Sequence, residues 1–114
     1  MAQLTDQLAL ITGASSGFGA AAALAFAREG CQLLLGARRS DRLAQVASDA
    51  AREGAGAVLY QVLDVSKTAS VAAFADWVRT HTEAVDVLVN NAGGALGLDT
   101  VAEGKDEDWE TMFQ

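Results

Sequence analysis

Proline is absent from this sequence, and cysteine, histidine and tyrosine occur once each, as Cys31, His81 and Tyr60. A single cysteine excludes an intramolecular disulfide and a cluster of metal-binding thiolates. A lone histidine on a polar stretch leaves zinc without a ligand set, so His81 is expected on the surface and no metal site is expected anywhere. Long apolar runs are missing too. Leu8 to Ile11 and Ala20 to Ala27 fall well below the roughly 20 residues that a bilayer-spanning helix needs. Ala2 to Gln7 carry no basic segment leading into an apolar one, which argues against a secretory signal. A soluble, cytoplasmic protein without membrane contact is the expectation. Basic residues are scarce: fifteen acids against eight bases leave a formal charge of −7. Phosphate repulsion then disfavours nucleic acid everywhere except at a local basic cluster, and no nucleic-acid partner is expected.

What the chain does have is apolar substance. Its 114 residues are 51% apolar, which is one domain's worth of chain able to bury a core and too hydrophobic for disorder. Charge is unevenly spread. Arg28, Arg38, Arg39 and Arg42 lie in the first half, whereas Glu83 to Glu110 hold eight acids and one base, Lys105. A basic cluster in an acidic protein points to a small anionic ligand.

Short apolar runs alternate with longer helical patterns. Leu8 to Thr12, Cys31 to Ala37, Val58 to Leu63 and Val85 to Val89 are expected as buried strands. Helices are expected from Gly17 to Glu29, closed by Gly30, and from a capping Ser40 to about Glu53. A third is capped by Ser66 and repeats its apolar residues at Val71, Phe74, Ala75 and Val78. Another helix is expected to start at Asp106, where three acids suit the positive end of the helix dipole. Continuous apolar strands alternating with helices imply an α/β fold. The expected form is a doubly wound parallel sheet of the Rossmann type, β-α-β-α-β-α-β, covered on both faces with strand order 3-2-1-4. Residues 1–114 are expected to form one dinucleotide-binding domain. The expected last helix is still running at Gln114 and the fourth strand is left at an edge, so we read the chain as part of a longer domain.

The first strand leads into Thr12-Gly13-Ala14-Ser15-Ser16-Gly17-Phe18-Gly19. Gly13 lets the chain turn sharply off the strand, Gly17 lets a pyrophosphate approach the backbone, and Gly19 lets the helix pack closely on the sheet. The helix start aims free N–H groups at the phosphates, and Ser15 and Ser16 add hydroxyls. In an NAD-binding unit an acid at the end of the second strand would bind the ribose hydroxyls. Here no acid stands at positions 35 to 39; Arg38 and Arg39 do, and paired guanidinium groups suit a 2′-phosphate. NADP(H) is therefore the expected cofactor. Asp64 can accept from the adenine amino group while Val65 packs on the ring edge. Asn90-Asn91-Ala92-Gly93 closes the fourth strand, where Ala92 and Gly93 leave room for a ribose and an asparagine side chain can tie neighbouring strand ends.

Together, TGASSGFG at 12–19, ARR at 37–39, LDV at 63–65 and NNAG at 90–93 resemble the short-chain dehydrogenase/reductase superfamily over nearly the whole chain. GARRSDRL, LVNNAGGALGL and DEDWETMFQ are further similar to the NADP-dependent 3-hydroxy acid (serine-type) dehydrogenases. The resemblance implies hydride transfer between NADP and a secondary alcohol or ketone, a small-molecule substrate and a homo-oligomer. It assigns Gly13, Ser15, Ser16, Gly17, Phe18, Gly19, Arg38, Arg39, Asp64, Val65, Asn91, Ala92 and Gly93 to the cofactor. It also implies a catalytic Ser, Tyr and Lys, none of which is matched here: Tyr60 sits in an expected strand without the family's Tyr-x-x-x-Lys spacing. A non-catalytic NADP(H)-binding module, or a fragment that dimerises through its exposed strand or helix, are the alternatives. The absence of Gly-Lys-Ser/Thr excludes a P-loop kinase.

Overall fold

The computed structural model describes residues 7–15 and 17–91. The expected helix beyond Asp106 lies outside them. The elements are β1 (Leu8–Thr12), α1 (Gly17–Arg28), β2 (Gln32–Ala37), α2 (Ser40–Glu53), β3 (Ala57–Val62), α3 (Thr68–His81) and β4 (Val87–Asn90). Among the described residues they form one parallel sheet in the order β3-β2-β1-β4, the order expected from the sequence.

Period-two alternation in the central strands sorts the core into two layers. Ala9 and Ile11 of β1 and Leu33, Leu35 and Ala37 of β2 face α1 and α2, which contribute Ala23, Ala27, Leu43 and Ala50. Leu8, Leu10 and Leu34 point the opposite way, onto Phe74, Ala75 and Val78 of α3, with Val85 and Leu88 beside them. Of the four residues expected to form the stripe on α3, Phe74, Ala75 and Val78 are buried and Val71 is partly buried beside them. The alanine-rich face of α1 keeps that helix close to the sheet.

Several boundaries differ from expectation, each for a local reason. Cys31 precedes β2, because its N–H closes the end of α1 on the Phe26 carbonyl at 3.2 Å. Val85 precedes β4: the Asp86 carboxylate accepts the Leu8 N–H at 2.8 Å, and ladder pairing starts only at Ala9 with Val87. Neither serine caps its helix. Ser40 is the first helical residue and the cap position is Arg39, whose carbonyl accepts the Leu43 N–H at 2.9 Å. Lys67 holds the corresponding place before α3, and Ser66 turns to Asp64 instead. β3 is not covered on both faces as expected. It is an edge strand of the sheet, and Leu59, Tyr60 and Val62 stay exposed.

Cys31 is fully buried, and that burial, reinforced by the negative charge of Glu29 and Asp86, pushes its thiol above its ordinary value. We therefore expect Ellman's reagent at pH 8 to label Cys31 at least about a hundredfold more slowly in the native chain than in denaturant. Labelling at equal rates would contradict the packing.

Candidate functional site

Parallel pairing brings the C-terminal ends of all four strands to one rim of the sheet. The chain leaves β1 there through Gly13 at φ 64°, and starts α1 at Gly17 at φ 54°; both angles favour glycine. The intervening turn is held across β2 by the Ala14 N–H, which donates to the Gly36 carbonyl at 3.1 Å. Among the described residues, a Cβ at Gly17 would meet nothing within 4 Å, so the helix start opens away from them. A Cβ at Gly19 would lie 2.1 Å from the Gly13 carbonyl oxygen. Gly19 thus lets the first turn of α1 close on the strand-exit turn, a more local contact than the expected helix–sheet packing.

Thr12 is fully buried and joins β1 to β4. Its hydroxyl donates to Asn90 Oδ1 at 2.9 Å and accepts the Asn91 backbone N–H at 3.1 Å. Asn91 Nδ2 donates to the Gly13 carbonyl at 3.3 Å. The asparagines therefore tie the strand ends together and brace the glycine turn.

Beside the turn lies an open cleft of about 240 Å³, lined by Gly13, Ser15, Ala37, Arg38, Arg39, Leu63 and Val65. Its wall is apolar at Ala37, Leu63 and Val65, and its rim carries two guanidinium groups. Arg39 leans on Asp41 at 3.5 Å; both side chains are exposed, so the pair contributes little to stability. Arg38 makes no ion pair among the described residues. Asp64 stands between Leu63 and Val65. The Ser66 hydroxyl, then the Ser66 N–H, hold its carboxyl below the usual carboxylate value, with a smaller pull from Arg38 and Lys67.

The structure thus gathers Gly13, Ser15, Arg38, Arg39 and Val65 around one cleft, with Asp64 at its margin. Gly17 and Gly19 stand at the adjoining helix start, and Asn91 on the far side of Gly13. Phe18 is 68% exposed and is not part of the cleft lining. Ser16, Ala92 and Gly93 lie outside the described residues. Sequence reasoning missed Ala37 and Leu63 as lining residues. Their signal was available, because each ends or follows an apolar strand and parallel strand ends share one rim. It also missed Thr12, a polar residue closing an apolar strand. Among the described residues, no helix is long and apolar enough to cross a membrane, and no cluster of His, Cys, Asp and Glu could hold a metal ion.

A family model for short chain dehydrogenase matches residues 7–114. The chain is 39% identical over 106 residues to the NADP-dependent 3-hydroxy acid dehydrogenase YdfG of Salmonella typhi, covering 93% of this chain and 41% of that protein. It is 38% identical over 104 residues to the serine 3-dehydrogenase of Agrobacterium fabrum, covering 90% of this chain and 40% of that one. A crystal structure of a metagenomic short-chain oxidoreductase in complex with NADP matches with a TM-score of 0.74 and 36% identity, over 82% of this chain and 42% of that chain. The chain spans less than half the length of these relatives.

Proposed function

This chain belongs to the short-chain dehydrogenase family, and from that premise we propose that it is the NADP(H)-holding part of an oxidoreductase acting on a secondary alcohol or ketone. One relative is named for 3-hydroxy acids and another for serine, and a small 3-hydroxy acid is the substrate class we propose. The observation that carries the cofactor reading is the shared cleft: Arg38 and Arg39 line it together with Gly13 and Ser15 of the glycine turn.

The residues fit a dinucleotide phosphate. Open space at Gly17 admits a pyrophosphate to the first-turn amides of α1, whose dipole favours negative charge. Leu63, Val65 and Ala37 offer an apolar wall for an adenine face. Arg38 reaches a 2′-phosphate without giving up an ion pair, whereas Arg39 must share its charge with Asp41. Bound NADP would supply the hydride acceptor, or NADPH the donor. No side chain in the described cleft is placed to move a proton to or from a substrate oxygen. Tyr60 lies on exposed edge strand β3, and the fourth residue after it is Asp64, where the family has lysine. We therefore propose that these 114 residues bind cofactor without turning it over.

Calorimetric titration tests this. A charge-assisted hydrogen bond contributes about 1.5–3 kcal/mol, so the wild-type chain is expected to bind NADPH about a hundredfold more tightly than NADH. Arg38→Ala is expected to remove most of that preference and Arg39→Ala less of it, because Asp41 already holds part of the Arg39 charge. Equal affinity of the wild type for the two cofactors would remove the reading.

A further inference from the structure

Asp64 is pinned at both ends. Its backbone N–H donates to the Ser70 hydroxyl at 2.9 Å, which anchors it to the first turn of α3. Its carboxylate uses one oxygen, Oδ1, for two donors from the same residue: the Ser66 N–H at 3.0 Å and the Ser66 hydroxyl at 2.6 Å. The other oxygen, Oδ2, has no hydrogen-bond partner among the described residues. Asp64 also separates Leu63 and Val65, both of which line the cleft.

We propose that Ser66 is a positioning residue, which locks the Asp64 carboxylate through Oδ1 so that Oδ2 is left to accept the exocyclic amino group of the cofactor's adenine. The inference rests on the NADP(H) reading above and adds a residue outside the cleft lining. An aspartate side chain rotates about two bonds, and a half-buried one at a cleft margin would otherwise sample several rotamers. Two donors on a single oxygen fix both torsions before the ligand arrives, so less freedom is lost on binding. A carboxylate only accepts hydrogen bonds, and the adenine amino group is a donor. A purine with a carbonyl at that position would instead face it with an acceptor.

That difference supplies the test. Affinities of the wild type, Ser66→Ala and Ser66→Thr are measured calorimetrically for NADPH and for its hypoxanthine analogue, which has a carbonyl in place of the amino group. The wild type is expected to prefer NADPH about tenfold. Ser66→Ala keeps the backbone N–H and loses the hydroxyl. It is expected to weaken NADPH about three- to tenfold while leaving the analogue unchanged, which narrows the preference. Ser66→Thr restores the hydroxyl and is expected to restore the preference. A residue that only shapes the turn would change both affinities alike, and equal losses in Ser66→Ala would overturn the proposal. So would a full preference surviving in Ser66→Ala. A wild type that binds both cofactors equally, yet still loses affinity in Arg38→Ala, would overturn the Asp64 contact and this proposal with it, leaving the NADP(H) reading in place. No measurable affinity for NADPH at all would overturn both.

Discussion

Replacing Gly19 with alanine is expected to lower the thermal midpoint by about 10 °C or more and to weaken NADPH binding at least about a hundredfold. The added Cβ would sit 2.1 Å from the Gly13 carbonyl oxygen, 2.8 Å from its carbon and 3.1 Å from Ala14 Cα. All three are backbone atoms, so no side chain can swing aside. Overpacking of this kind costs about 1–3 kcal/mol, and more where the neighbour cannot give. Movement of Gly13 also strains the Asn91 contact to its carbonyl and the Thr12 link to β4. The turn that would cradle phosphate therefore shifts as a unit. Gly17→Ala is the control. Its Cβ meets nothing within 4 Å among the described residues, and its cost in the free chain is the strain of φ 54°, about 1 kcal/mol. The space that it fills is the space proposed for pyrophosphate. Gly17→Ala should accordingly spare the fold and impair NADPH binding, whereas Gly19→Ala impairs both. Differential scanning fluorimetry and calorimetric titration separate the two. A Gly19→Ala chain that melts and binds like the wild type would show that this approach of backbone to backbone does not constrain the turn.

The contrast between those glycines bears on how much of the molecule is legible in its sequence. The strands β1 and β2 and the stripe on α3 follow from hydrophobic periodicity, because each is held by apolar contacts along its own length. The position of the cleft follows as well, since a parallel sheet collects its strand ends on one rim and Gly13, Arg38 and Asp64 all lie just past such ends. What periodicity does not carry is the partner across space. β4 starts at Val87 and not at Val85 because Asp86 bonds Leu8, 78 residues away. Ser40 and Ser66 look like caps because serine favours that role, but backbone carbonyls of Arg39 and Lys67 took the first helical bonds, and Ser66 was drawn to Asp64. β3 resembles a buried strand by composition, yet its place at the edge leaves Tyr60 and Val62 exposed. The contact of Arg39 with Asp41 was equally hidden, although it is what distinguishes the two neighbouring arginines.

Gly36 is the clearest residue whose role depends on a distant partner. It is expected that Gly36→Ala alone destabilises the chain by about 3 kcal/mol, and that adding Phe74→Leu recovers about half of that loss. An alanine Cβ at Gly36 would lie 2.5 Å from Phe74 Cζ and 2.6 Å from Cε1, with Leu63 Cβ at 3.3 Å. The ring is fully buried and packs at a tilt against Trp77, with ring centroids 5.3 Å apart, so moving it disturbs a filled layer. Either α3 lifts from the sheet or β2 bends. Bending would carry the Gly36 carbonyl away from the Ala14 N–H and so disturb the glycine turn from its far side. Phe74→Ala alone is expected to cost about 3–5 kcal/mol, since it empties the centre of that layer. Leucine in its place keeps most of the apolar contact and removes the two ring atoms that collide. Denaturant unfolding of the wild type, both single variants and the pair forms a double-mutant cycle. A coupling of about 0.5–3 kcal/mol in favour of the pair is expected for residues in direct contact. Strict additivity would mean that the ring does not press on Gly36. NADPH affinity should recover in parallel with stability, because the same strand end supports both the α3 layer and the turn.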